Sequence, residues 1–179
     1  MMSTPTPHVA QASLLNILQF PDVRLKNKAE WITDFKDPEL GHLVDNMFAT
    51  MYESQGVGLA AIQVNEAKHL MVVDVSSNQS QPLCIINCEI LAKHGISEQE
   101  EGCLSFPGVY AKVKRAQTVD IRYCDIAGKE QLLTATGLLA VCIQHELDHL
   151  LGITFYDHLS SVKQYMLRKK LDKIRRKSL

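Results

Sequence analysis

The sequence predicts an α+β fold: short, mostly antiparallel strands packed around a central buried helix, with a further helix at the C-terminus. Three observations carry this reading. Apolar residues between positions 40 and 51 recur at helical spacing. Short β-branched runs bounded by polar turns fill the middle of the chain. Residues 138–151 are apolar on nearly every side, which marks a helix buried all round.

The elements follow in order. Residues 1–13 are polar and rich in Pro, Thr and Ser, and read as a flexible N-terminal extension. Asp37-Pro38 reads as an N-cap followed by proline at the first helical position. Leu40, Leu43, Val44, Met47, Phe48 and Met51 then mark one face of a helix that ends near Ser54, before Gly56 and Gly58. His69–Val75 and Leu83–Ile90 read as strands, as do Thr118–Asp125 and Gln131–Thr136, the last two joined as a hairpin through Ala127-Gly128. The buried helix follows over Leu138–Leu151. Ser161 and Gln164 form a capping-box pattern ahead of a final helix over about 162–177, with Leu167, Leu171 and Ile174 on one face. No repeat or boundary divides 14–179, which reads as a single domain.

The bulk numbers exclude several classes. A chain of 179 residues that is 46% hydrophobic can bury one sizeable core and little more. Its formal charge of −1 gives no overall attraction to DNA or to a membrane surface. No apolar run approaches the length of a membrane span. With no Lys or Arg before Arg24, the start lacks the charged region of a signal peptide. An odd count of five cysteines without an export signal points to free thiols in a reducing, cytoplasmic setting. Cys84, Cys88, Cys124 and Cys142 lie among apolar residues and read as packed in the interior.

The residues that carry chemistry lie on the buried helix. His145-Glu146-Leu147-Asp148-His149 reads H-E-x-x-H. A helix turns once per about 3.6 residues, so both imidazoles share one face and can grip one metal ion, with Glu146 beside them as a proton carrier. A catalytic site of this kind usually has three protein ligands. The metalloprotease extension would place the third at position 155, which is Phe155. Cys142 lies about 10.5 Å of helical rise from His149, too far to share an ion with it. Cys103, in the polar, turn-like Glu101-Gly102-Cys103-Leu104-Ser105, is the better candidate. On the residues alone, however, an ordinary loop thiol describes it better.

Three separated motifs then carry a resemblance: Gly56-Val57-Gly58-Leu59-Ala60-Ala61-Ile62-Gln63, Glu101-Gly102-Cys103-Leu104-Ser105 and Gln144-His145-Glu146-Leu147-Asp148-His149. In content, order and separation the chain resembles the peptide deformylase family over roughly residues 14–170. The resemblance implies a hydrolase that removes the N-formyl group from the formylmethionine of nascent polypeptides and releases formate. It implies one divalent metal per chain on Cys103, His145 and His149, Fe(II) in the cell, with Zn(II), Ni(II) or Co(II) able to replace it. It makes Glu146 the general base and acid, and the Gln63 side-chain amide and Leu104 backbone N–H the donors to an oxyanion. Peptide would pair as an extended strand beside residues 56–59, with Gly58 allowing close approach. Val57, Tyr110, Leu138, Val141 and the His145 ring would line a methionine pocket, although each of the four other than His145 reads equally well as core packing. Glu101 and Arg115 would form an ion pair that holds the Cys103 loop. Some relatives carry arginine where this chain has Tyr110, and glutamate where it has Gln55.

Rival readings are weaker. Gly56-x-Gly58-x-x-Ala61 fits a dinucleotide fingerprint, but a helix precedes it where a strand is required. A thermolysin-like site needs a later glutamate, and none follows Glu146. From Lys163 to Lys177 there are eight Lys or Arg and one acid. A block of this kind is often only a solvated face. It also motivates docking of the C-terminal helix, through Arg168, Lys169, Lys170, Lys173, Arg175 and Arg176, on ribosomal RNA or protein.

Overall fold

The computed structural model of the protein describes residues 12–177. Most of the expected extension, residues 1–11, lies outside them. At its end, the Ser13 N–H donates to Asn46 Oδ1 at 2.7 Å and the Leu15 N–H to Thr50 Oγ1 at 2.8 Å, so the chain is tied to a helix from there.

That helix is α1, Pro38–Glu53, and it begins as its sequence dictates. Asp37 accepts the Glu39 N–H, and Pro38 needs no partner at the first turn. Leu40, Val44, Met47, Phe48 and Met51 form its buried stripe. Gln55 then takes a left-handed conformation, φ 56°, which ends the helix.

Five strands form one antiparallel sheet: β1 (Gly58–Ala60), β2 (Leu70–Val73), β3 (Leu83–His94), β6 (Thr118–Cys124) and β7 (Glu130–Thr136), in the order β1-β2-β3-β6-β7. β4 (Ser97–Gly102) and β5 (Tyr110–Arg115) form a separate hairpin. Successive strand side chains point to opposite faces. On β2, therefore, Met71 and Val73 join the core under the second helix, α2 (Gly137–Leu150), while Leu70 and Val72 join Met47, Phe48 and Met51 of α1. A strand covered on both faces reads as the continuous apolar run seen here.

α2 is entered directly from β7 through Gly137, whose φ of +57° suits a residue without a side chain. Gln144, a buried amide on this helix, is satisfied by backbone: it accepts Ala116 N–H at 3.0 Å and donates to Ala116 O and Ala140 O. Leu138 and Leu151 at the helix ends are exposed, so α2 is buried along its middle rather than throughout.

The last helix, α3 (Ser161–Lys177), packs Leu167 and Leu171 on Phe106, Val109, Val113 and Phe155 under the β4–β5 hairpin. The Gln164 amide does not close the expected box with Ser161; it donates to Tyr156 O at 3.1 Å. Among the described residues no helix is long and apolar enough to cross a membrane. All five cysteines are free thiols: Cys88 and Cys142 are buried, and Cys84 and Cys124 are half-buried, packed against the core under α1.

Candidate metal centre

Three elements bring the site together. α2 supplies His145, Glu146 and His149; the turn between β4 and β5 supplies Cys103 and Leu104; the short 3-10 turn Ala61–Val64 after β1 supplies Gln63. Cys103, His145 and His149 each offer a ligand atom, and these atoms lie within 4.8 Å of one another. Cys103 Sγ and His149 Nε2 are 3.2 Å apart. Metal–S and metal–N bonds of about 2.3 and 2.1 Å at tetrahedral angles require ligand separations of about 3.5 Å. The donor set thus fits one ion of the type that accepts mixed sulfur and nitrogen ligands.

The surroundings fit as well. His145 Nδ1 lies 2.8 Å from Glu101 Oε2, the outer partner that turns Nε2 toward the cluster. Burial alone would lower the His145 pKa, but the bonds to Cys103 and Glu101 hold it well above the usual value, so an ion bound there would displace a proton. Burial pushes the His149 pKa well below the usual value, with His145 adding to the effect, so the ring is neutral as a ligand must be. Glu146 is buried, and its Oε2 has no partner among the described residues. A carboxylate oxygen left bare in the interior is costly unless something outside the protein meets it. Burial pushes the Glu146 carboxyl up to about 7, against the pull of His145.

Glu101 and Arg115 form a buried pair, Nε to Oε1 at 2.8 Å and Nη2 to Oε2 at 3.1 Å. Burial alone would raise the Glu101 carboxyl, but the bonds from His145 and Arg115 outweigh it and hold it at about 2. Phe155, at the place of a protease's third histidine, is buried and stacks on the His145 ring with centroids 6.1 Å apart.

Gln63 is buried. Its Oε1 accepts Ala60 N–H at 2.9 Å, and its Nε2 donates to Ser105 Oγ at 3.1 Å and toward Cys103 Sγ at 3.6 Å. The amide therefore faces the Cys103 thiol. The Leu104 N–H meets no acceptor among the described residues.

The site opens into a cleft of about 540 Å³ lined by Val57, Gly58, Tyr110, Leu138, Val141, His145 and Glu146 among others. The four candidate pocket residues divide. Val141 is 5% exposed and lies deep, whereas Val57 (42%), Leu138 (51%) and Tyr110 (62%) stand at the mouth. A side chain on Gly102 would overlap the Tyr110 ring, 2.7 Å from Cε1, so that ring lies flat on the opposite strand. Gly58 is tight from within: a Cβ there would lie 2.5 Å from Glu146 Oε1 and 2.6 Å from Cys142 Sγ. Cys142 is outside the ligand cluster and contacts Val57 O at 3.5 Å.

The sequence offers Asp148 only as a neighbour of the ligand helix turn; the structure gives it partners and adds His158. Asp148 Oδ2 accepts from both Arg115 and His158. No motif marks His158; only the fold brings it near.

An α+β fold that closes a thiol, two imidazoles and a buried carboxyl with one unpartnered oxygen around one cleft has the equipment of a hydrolase with a single metal site. The chain belongs to the polypeptide deformylase family, a family of enzymes, whose model matches residues 14–165. It is 50% identical to a peptide deformylase of Stenotrophomonas maltophilia over 166 residues, covering 92% of this chain and 98% of that one. A crystal structure of a peptide deformylase from Legionella pneumophila superposes with a TM-score of 0.89 at 44% identity, covering 93% of this chain and 98% of the other. One from Ehrlichia chaffeensis, in complex with actinonin, gives 0.84 at 38% identity over 90% of this chain and 97% of the other.

Proposed function

We propose that this chain removes the N-formyl group from the formylmethionine of nascent polypeptides in the cytoplasm and releases formate. The observation that carries the reading is the buried Glu146 carboxyl, its Oε2 without a partner among the described residues, beside the Cys103–His145–His149 cluster at the base of a cleft. Those three side chains would hold one divalent cation, Fe(II) in the cell by family resemblance, with Zn(II), Ni(II) or Co(II) as substitutes. Such an ion supplies Lewis acidity and lowers the pKa of a water.

The chain's own residues do the rest. Glu146 takes a proton from the attacking water and returns it to the leaving amine, for which a carboxyl near 7 is well placed. Gln63 Nε2 and the Leu104 N–H donate to the oxyanion, each such donor contributing about 2.7–4 kcal/mol. β1 is the last strand of its sheet, and its free edge faces β4 across the cleft. An extended peptide fits there as an added strand, with its methionine directed to Val141 and the His145 ring, and Val57, Leu138 and Tyr110 at the rim. Formate released over many turnovers from a formyl-Met tripeptide, by protein loaded with Fe(II) or Ni(II) without oxygen, tests the reading. No formate from folded, metal-loaded protein overturns it.

Glu101 holds His145 by its ring nitrogen and the Cys103 turn through Arg115. Glu101→Ala is expected to lose metal about 10–100-fold more readily. It should also destabilise the fold by about 1.5–3 kcal/mol, because the buried Arg115 loses both bonds to Glu101 and keeps only the part-exposed Asp148. Metal content after dialysis and denaturant unfolding read the two effects, and wild-type values in both would remove Glu101 from this role.

α3 offers a second reading that stands beside the first. Arg168, Lys169, Lys170, Lys173 and Arg176 are exposed, Arg175 is half-buried, and none of the six forms an ion pair among the described residues. This supports docking of α3 to the ribosome's phosphate backbone or to a ribosomal protein. Truncation is a poor test, since it strips Leu167 and Leu171 from the core. Instead, Lys170→Glu, Lys173→Glu and Arg176→Glu together should weaken co-sedimentation with ribosomes at low salt at least about tenfold. Undiminished co-sedimentation would show that the helix face is merely solvated.

A further inference from the structure

Behind the candidate ligands, a line of charged groups runs outward to solvent. His145 Nδ1 donates to Glu101 Oε2, which also accepts Arg115 Nη2. The far side of the guanidinium donates through Nη1 to Asp148 Oδ2 at 2.5 Å. That same oxygen accepts a second donor, His158 Nε2, at 2.7 Å. Side-chain exposure rises along the line, from 4% at Glu101 and 5% at Arg115 to 17% at Asp148 and 37% at His158.

His158 reaches Asp148 from a pinned segment. It ends the 3-10 turn Phe155–His158 that follows α2. Phe155 is buried at the start of that turn. Asp157 Oδ2 accepts Thr154 N–H at 2.7 Å, Thr154 Oγ1 at 2.8 Å and Lys26 Nζ at 2.6 Å. The turn that carries His158 is therefore fixed, and from it the ring reaches Asp148.

We infer that His158 is a positioning residue for the metal centre, acting through Asp148, Arg115 and Glu101 on the direction of the His145 ring. Glu101 grips one edge of the guanidinium, and Asp148 grips the other. Asp148 is part-exposed, so water competes for its carboxylate. With the His158 donor removed, Oδ2 keeps only Arg115, and the side chain can turn outward. Arg115 then pivots about Glu101, and Glu101 Oε2 moves with it. That oxygen sets the ring nitrogen behind the ligand atom of His145, and such outer partners typically govern metal retention 10–100-fold. The inference rests on the metal reading of the site.

The full chain, loaded with Co(II) without oxygen, provides the test, with release to a chelator and the thiolate-to-cobalt absorption band as readouts. Wild-type protein should take up one Co(II). His158→Phe, which keeps a ring but no donor, should release it about tenfold faster with a shifted band. His158→Gln, whose Nε2 can still donate, should stay within about twofold of wild type. Unfolding temperatures of the three metal-free proteins should agree, which separates positioning from bulk stability. Wild-type release by His158→Phe overturns the inference, as does release by His158→Gln as fast as by His158→Phe. A wild-type chain that takes up no Co(II) overturns the metal reading itself, and this inference with it.

Discussion

Glu146→Gln protein that still holds its metal is expected to release formate from a formyl-Met tripeptide about 10²–10⁴-fold more slowly than wild type, with little change in KM. Glutamine has the size of the native side chain and fills the same space beside Gly58 and Cys142. It cannot carry a proton. The loss therefore falls on the step in which water gives up its proton and the amine receives one, and each tenfold corresponds to about 1.4 kcal/mol of barrier. The environment explains why the position suits both directions of transfer. Burial brings the carboxyl up to about 7, so neither proton state is strongly disfavoured near neutral pH. A Glu146→Gln enzyme that keeps more than about a tenth of wild-type kcat would remove the carboxyl from the chemistry.

The sequence makes some of this plain and hides the rest for physical reasons. α1 is legible because its burial follows helical periodicity and Asp37-Pro38 marks a start that the backbone obeys, and α2 because a long apolar run reads as a helix buried all round. β2, β3 and β6 are legible because they carry β-branched cores, and β7 because its burial alternates along the strand. β1 is hidden by its brevity and by Gly58. β4 is hidden because Ser-Glu-Gln-Glu-Glu-Gly contains no apolar side chain, and its one buried position is Glu101. The hairpin β4–β5 faces the interior partly through the Glu101–Arg115 ion pair, which no hydrophobic pattern reports. Two of the three candidate ligands can be read from one helix turn, whereas Cys103 is joined to them only by the tertiary fold. Asp148 and His158 are ten residues apart, and a tight turn after α2 brings them together. The expected methionine pocket comes from the resemblance and not from any pattern in the chain. All four residues it implies, Val57, Leu138, Tyr110 and Val141, line the cleft, the first three exposed at its rim and Val141 in its depth.

Gly58→Ala is expected to cost about 100-fold in kcat and about 1–3 kcal/mol in stability, although it adds a single methyl group. The position has no unusual backbone conformation that glycine alone could adopt. Room is the issue. The new Cβ would sit 2.5 Å from Glu146 Oε1, 3.0 Å from Glu146 Cδ and 2.6 Å from Cys142 Sγ, all in a packed interior. Something must move, and the Glu146 carboxyl is the end free to swing, since Oε2 has no partner. A shift of about 1 Å at a reacting group is enough for the loss of rate. The sequence offers another reason for this glycine, close approach of the substrate backbone, and kinetics separate the two. Crowding by the methyl from within lowers kcat at similar KM, whereas obstruction of the peptide raises KM with kcat preserved. Adding Cys142→Ala sharpens the distinction. With the sulfur gone, Gly58→Ala should recover part of its lost stability while kcat stays low, because the Glu146 oxygen is still displaced. If the pair instead shows raised KM, native kcat and no effect of the sulfur, Gly58 serves the substrate and not the carboxylate.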